Sequence, residues 1–194
     1  MAEPQRCWPT SDPLYIAYHD QEWGRPVAEE HLLLERVCLE GFQSGLSWLT
    51  ILRKRENFRA AFEDFRPGAV ARFGPEDVER LMGDAGIVRN RAKIEATIAN
   101  ARATVALHDA GQTLRGLLWS FAPATPPRAR RALADLPATT PESEALAREL
   151  RRRGFRFVGP TTAYAAMQAC GVVDDHLAGC FVREAVEAQR RRAS

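Results

Sequence analysis

Residues 154–180 read GFRFVGPTTAYAAMQACGVVDDHLAGC, and this stretch decides the fold. Gly154 and Gly159 bracket the apolar residues Phe155, Phe157 and Val158, the pattern of a tight hairpin. The segment ALARELRRR at 145–153 runs into it with helical character. After it, Pro160 takes a first helical position, with Thr161 and Thr162 close behind. Such a helix start leaves backbone N–H groups free to face an anion, for which a DNA phosphate is one candidate. The pattern predicts helices over about 142–153 and 160–170. A further helix is expected over about 175–191, which would place His176 and Cys180, four residues apart, on one face.

Working outward, 194 residues with 45% apolar content suffice for one domain with a real core. The net charge of +2 barely argues for a polyanion partner. The basic residues are nearly all arginine, with Lys54 and Lys93 the two lysines, which reads first as a compositional habit. No stretch approaches membrane-spanning length and no N-terminal apolar run suggests a signal peptide, so the chain is expected to be cytoplasmic and not a membrane protein. There, Cys7, Cys38, Cys170 and Cys180 are expected as thiols or metal ligands, not disulfides.

Along the chain, Asp12-Pro13 marks a capped helix carrying Tyr15, Tyr18 and His19. A helix follows over 27–40, broken by Gly41 and Gly45, and another runs from about Leu46 to Phe58. Short helical pieces are expected over 60–72, then helices from Pro75 to Gly83 or Gly86, over 89–109 and over 114–121. Residues 122–141 form a Pro-, Ala- and Arg-rich connection ending in the helix start Thr140-Pro141-Glu142. The tail QRRRAS is expected to fray. No alternating pattern is long enough to insist on a sheet, so the fold class is all-α.

Cys7 and His19 near one end and His176 and Cys180 near the other make a Cys2His2 set. It would suit a closed tetrahedral structural zinc that joins the two termini. Spacing alone leaves this open against a buried histidine and cysteine in the core.

The N-terminal third also collects Trp8, Tyr15, Tyr18, Trp23 and Trp48 around Glu40, which ends the apolar run LLLERVCLEGF. An enzyme acting on a base in duplex DNA must extrude it and hold it between aromatic faces. For a cationic alkylated base, tyrosine and tryptophan faces plus one carboxylate would serve. Core packing explains the aromatic residues equally well. Glu40 is harder to explain that way, because a helix C-terminus disfavours negative charge.

Several blocks then carry a resemblance: CW at 7–8, DPLYIAYHDQEWG at 12–24, CLEGFQSGLSW at 38–48, DAGIVRNRAKIEATIANA at 84–101, WSF at 119–121 and RGFRFVGPTTAYAAMQACGVVDDHLAGC at 153–180. In this order they resemble the DNA-3-methyladenine glycosylase I family, of the helix-hairpin-helix DNA glycosylases, from about Arg6 to Cys180. The resemblance implies a single glycosylase domain over 1–194, with a DNA-binding helix-hairpin-helix at about 142–171. It implies a monomer acting on double-stranded DNA that carries alkylated adenine. The enzyme would hydrolyse the N-glycosidic bond of 3-methyladenine, releasing the base and leaving an abasic site.

By the same resemblance Glu40 contacts the flipped base, Tyr18 and Trp48 pack against it, and Trp8 and Tyr15 line the pocket. Gly45 and Leu46 would probe the duplex, and Val158, Gly159, Thr161 and Thr162 would hold backbone phosphates. Arg151 to Arg153 and Arg156 would assist, with at least one of the three consecutive arginines merely solvated. Structural Zn2+ would be bound by Cys7, His19, His176 and Cys180. Two features depart from the family pattern. Cys7 and Trp8 are adjacent where the family has one residue between, and Asp174 stands where it commonly has asparagine. Asp174 has two readings, a helix N-cap or a catalytic carboxylate. No lysine follows Gly159 to form a Schiff base, so no lyase activity is expected. Two other readings stand beside this one: a broader alkylpurine range, and a non-catalytic zinc-stabilised DNA-binding module.

Overall fold

The computed structural model describes residues 4–193, which hold ten α-helices and no strand. Helix α1 (Pro13–Gln21) starts where Asp12 accepts the N–H groups of Leu14 and Tyr15 at 3.0 and 3.4 Å. Helix α2 (Glu30–Gln43) follows, then α3 (Trp48–Ala61), capped by Ser47 on the Thr50 N–H at 3.2 Å. Short α4 (Pro67–Val70) and α5 (Pro75–Gly83) lead to long α6 (Arg91–Asp109), capped by Asn90. Helix α7 (Leu114–Trp119) is short. After the Pro-rich connection come α8 (Pro141–Arg152), α9 (Pro160–Ala169) and α10 (Arg183–Ala193). Thr140 and Ser143 exchange side-chain-to-backbone bonds at the start of α8, the capping box that Thr140-Pro141-Glu142 advertised.

Helix α2 is the central element. Leu33, Leu34, Val37, Cys38, Leu39 and Phe42 are all buried, so it is apolar nearly all round. It packs against α3, α6, α7 and α9. Burial of each such large side chain contributes about 1.5–3 kcal/mol. Of its two buried acids, Glu35 is neutralised by a two-pronged pair with Arg59, both bonds at 2.8 Å. At its start, Glu30 accepts the backbone N–H groups of Leu114 and Arg115 at 2.7 and 2.9 Å, and so caps α7 from outside. A second, smaller core of Cys7, Tyr18, Trp23, Leu52, Leu177, Cys180 and Val182 forms where both terminal segments meet α1 and α3.

Four expectations are corrected. Gly41 does not end α2, which continues to Gln43. The third helix starts at Trp48, not Leu46, because Ser47 is its cap. No helix starts at 175: residues 174–182 are irregular chain with turns at 178–179 and 181–182, and α10 begins only at Arg183. The amides there leave for distant partners. The Leu177 N–H meets Cys7 Sγ at 3.4 Å, that of Ala178 the Arg130 carbonyl at 2.8 Å, and that of Phe181 the Gln5 carbonyl at 3.1 Å. His176 and Cys180 therefore sit on an irregular segment, not on a helix face. The basic tail is docked, since Arg190 donates to the Gly171 and Val172 carbonyls at 2.7 and 2.6 Å. Residues 1–3 and Ser194 lie outside the described residues.

Candidate active site and metal centre

The four Cys and His residues singled out in the sequence converge. Cys7 Sγ, Cys180 Sγ and one ring nitrogen each of His19 and His176 lie within 4.8 Å of one another, and all four residues are buried. The adjacency of Cys7 and Trp8 does not displace the thiol. Trp8 instead turns its ring edge-on to His19, with centroids 4.7 Å apart. Each histidine has a carboxylate on its other nitrogen: His19 Nδ1 is 2.7 Å from Asp20, and His176 Nδ1 is 2.7 Å from Asp174. This leaves both Nε2 atoms toward the cluster, and His176 Nε2 is buried with no hydrogen-bond partner among the described residues. Burial lowers the pKa of His19, favouring the neutral ring a metal requires. Burial raises the Cys7 thiol to about 12, so with no cation beside it the thiol keeps its proton. Gly24 makes room: its φ is +76°, and a Cβ there would stand 2.6 Å from His176 Cε1.

Asp174 does not cap a helix. Its Oδ1 accepts the His176 backbone N–H at 3.1 Å and faces the His176 ring. Its Oδ2 is buried and unpartnered among the described residues. It lines a cleft of about 330 Å³ shared with Trp119, Arg183 and Arg190, whose walls include neither Glu40 nor the aromatic ladder around it. Asp175 is committed to α9, accepting from Tyr164 Oη at 2.5 Å and Gln168 Nε2 at 2.7 Å.

That ladder is continuous. Trp48 and Tyr18 have centroids 5.2 Å apart, Tyr18 and Tyr15 6.4 Å, and Tyr15 and Trp8 5.1 Å. Glu40 lies against it on α2. Its carboxyl is 7% exposed and receives no hydrogen bond among the described residues, and burial lifts its pKa from 4.5 to about 8. Arg36, one turn earlier, offsets only part of this, because it is engaged with the Ala169 carbonyl and lies 4.0 Å from Glu22. Tyr15 and Tyr18 are both raised, by burial first and by the Glu40 charge second, so all three share one environment. The indole N–H groups of Trp8 and Trp48 are shielded and unpartnered among the described residues. Tilted, neighbouring rings with two spare donors and one spare acid suit a flat polar heterocycle.

Two segments flank this site. The loop after α2 carries Gly45, at φ +82°, and Leu46, which is 43% exposed. Lys93 from α6 holds it, donating to the Phe42 and Ser44 carbonyls at 2.9 and 2.6 Å. The hairpin between α8 and α9 is held by Asn100, also from α6, whose side chain donates to the Arg156 carbonyl at 3.2 Å and accepts its N–H at 2.7 Å. Gly159 begins α9 with no side-chain cap, and Thr161 is exposed beside it. Val158 is buried, so its side chain belongs to the core and only its backbone can meet a ligand. Arg152 and Arg153 both pair with Glu149, at 2.6 and 2.5 Å, which pulls that carboxyl down to about 2. The sequence reading missed Asn100 and Lys93 as the residues that set these two segments. The rarity of lysine in so arginine-rich a chain was the available signal for Lys93.

The pattern of the methyladenine glycosylase family matches residues 8–184. The chain belongs to that family. It is 51% identical over 178 residues to DNA-3-methyladenine glycosylase 1 of Escherichia coli, covering 91% of this chain and 95% of that one. A crystal structure of 3-methyladenine DNA glycosylase I superposes with a TM-score of 0.88 at 51% identity, over 91% of this chain and 98% of the other. The 3-methyladenine DNA glycosylase I of Staphylococcus aureus, studied for its recognition of 3-methyladenine, gives 0.85 at 35% identity, over 90% and 93%. The all-helical fold is thus that of its relatives.

Proposed function

We infer that this methyladenine glycosylase removes 3-methyladenine from alkylated DNA by base excision, hydrolysing the N-glycosidic bond and leaving an abasic site. The observation that carries the reading is Glu40, a buried carboxyl without a hydrogen-bond partner among the described residues, set against the Trp48–Tyr18–Tyr15–Trp8 ladder.

In this reading the extruded base stacks on Trp48 and Tyr18 and hydrogen-bonds Glu40. Methylation gives the base a positive charge. That charge favours electron-rich faces and draws the Glu40 proton off, since an adjacent cation lowers a carboxyl pKa. When the sugar–nitrogen bond breaks, its electron pair stays with the base and cancels the charge. The sugar, oxocarbenium-like, takes the oxygen of water, and a water proton passes to solvent. Neutral adenine has neither the charge nor the leaving ability, so discrimination has two sources. Leu46, on its loop at Gly45, fills the space the base leaves. The free N–H groups at Gly159, Thr161 and Thr162, with the backbone of Val158, hold a phosphate.

The chain works as a single domain and a monomer, with α8, the hairpin and α9 as its DNA-binding unit. Cys7, His19, His176 and Cys180 hold a structural Zn2+. The donor set is that of closed tetrahedral sites, and the orphaned His176 Nε2 and the two Nδ1 carboxylates fit it. Its chemistry is to join the terminal segments. Asp174 serves His176 in this reading, and catalysis does not need it.

Release of free 3-methyladenine from alkylated duplex, followed by chromatography, tests the activity. Glu40→Gln should lower both excision and affinity for the free base. An unchanged affinity would remove Glu40 from its role, and no release by the wild-type chain would remove the function.

A further inference from the structure

Phe157 is the one hairpin residue whose apolar side chain the core does not take. It is 41% exposed, while Phe155 and Val158 on either side are each 2% exposed. Its φ is +54°, in the left-handed region. A bulky residue there is an outlier and holds only where its surroundings impose it. Here they do. Asn100 fixes both backbone groups of the preceding Arg156. On the other side Phe157 lies against Gly41 of α2, where a Cβ would stand 3.3 Å from Phe157 Cβ and 3.5 Å from its carbonyl oxygen. Gly41 is therefore a landing place for the hairpin, which is why it sits unbroken inside a helix.

The position matters as much as the strain. The Gly41 carbonyl accepts the Ser44 N–H at 3.3 Å, and two residues later Leu46 stands exposed. Two exposed apolar side chains, Leu46 and Phe157, thus rise from backbone that converges on one glycine. Three residues beyond Phe157 the α9 N-terminus opens, and Arg151 and Arg156 are exposed nearby. Apolar surface beside an anion site and free guanidinium groups matches a nucleic-acid strand, whose deoxyriboses lie between phosphates.

We propose that Phe157 is a second apolar probe of the duplex, contacting deoxyribose and base edges beside the extruded nucleotide while Leu46 fills the gap. The inference rests on the glycosylase reading of the site. Apolar wedges of this kind are a common device of minor-groove binding, and an aromatic contact of this type changes affinity by about tenfold or more.

The test measures binding of the full chain to a duplex with a tetrahydrofuran abasic-site analogue, by fluorescence anisotropy over a range of salt. Phe157→Gly and Phe157→Ala should weaken binding by about tenfold, with Phe157→Leu retaining most of it. Affinity for free 3-methyladenine should not change. Phe157→Gly is the decisive variant, because glycine accepts φ +54° without strain and should keep the melting temperature close to wild type. The slope of log Kd against log salt should also be unchanged, since the phosphate contacts remain. Wild-type affinity in Phe157→Gly overturns the proposal. So does a loss accompanied by a shallower salt slope, which would mark a displaced hairpin. Failure of the wild-type chain to release base would instead strike the glycosylase reading itself.

Discussion

Lys93 Nζ donates to the carbonyls of Phe42 and Ser44, at 2.9 and 2.6 Å, and so ties the end of the central helix to the loop that carries Leu46. Lys93 is 8% exposed and its pKa is lowered by burial, yet its ammonium supplies donors to two carbonyls that a helix C-terminus leaves without them. Lys93→Met should cost about 1–3 kcal/mol for the stranded carbonyls. It should also lower kcat/KM on lesion-bearing duplex while leaving free-base affinity near wild type. Melting curves and steady-state excision check both parts. A variant that loses stability and free-base affinity together would show Lys93 acting on the whole core.

The raised pKa of Glu40 sets a pH dependence of activity. The free enzyme holds a neutral acid below about 8, and the cationic base prefers the carboxylate. The kcat/KM for 3-methyladenine should therefore rise with pH through about 8, and this limb should vanish in Glu40→Gln. A flat wild-type profile between pH 6 and about 9 would contradict it.

The same group sets a dependence of stability with the opposite slope. Its ordinary value is 4.5 and its folded value about 8, so in that window the folded state keeps a proton that the unfolded chain has released. Stability is complete below the lower value and declines as pH rises toward the upper one. Glu40→Gln should then melt above wild type at pH near 8, with the gap closing toward pH 5. Calorimetry at the two ends reads the sign directly.

Asp174 and Asp20 hold the Nδ1 atoms of His176 and His19, the two rings proposed as zinc ligands, and outer partners of this kind typically change metal affinity by about 10–100-fold. Purified protein should carry one zinc per chain by elemental analysis. Asp174→Ala should release it faster to a chelator, and Asp174→Asn should retain it, because an amide oxygen can accept the same Nδ1 proton. Asp174→Asn should leave excision nearly intact. A hundredfold fall in its single-turnover rate, with zinc and folding unchanged, would place the carboxylate at the sugar instead.

Borohydride should trap no enzyme–DNA adduct. Both lysines are committed to backbone carbonyls, Lys54 to Ala85 and Gly86 at 3.0 and 3.1 Å and Lys93 as described. Neither is free to form a Schiff base.

Local signals were readable and distant ones were not. Asp12-Pro13 and Thr140-Pro141 announced their helices because a cap acts within three residues. The false helix at 175 had good local pattern, but the amides of Leu177 and Ala178 find Cys7 and Arg130, which no periodicity encodes. Gly41 reads as a breaker until a chain segment more than a hundred residues away packs on it. Glu63, Asp64 and Phe65 take φ of 52, 54 and 53° in succession, against every local preference of those residues. The residues that the structure gathers had stood out in the sequence by their placing, Glu40 ending an apolar run and paired Cys and His at the two ends. Asn100 was not, because an asparagine inside a helix is ordinary until both backbone groups of Arg156 meet it.

Asn100 and Lys93 stand two turns apart on one helix, and each holds one of the two segments proposed to meet the duplex. The backbone beside Leu46 and Phe157 is thereby tied to a common strut, an arrangement that opposes their closing on a substrate like jaws. On the proposed reading, the distortion of recognition falls on the nucleic acid, which bends to reach the template. Excision should accordingly run faster where a lesion lies beside a supple pyrimidine–purine step than where it lies in a stiff A-tract. The flexibility of the flanking sequence thus becomes part of how a damaged base is found.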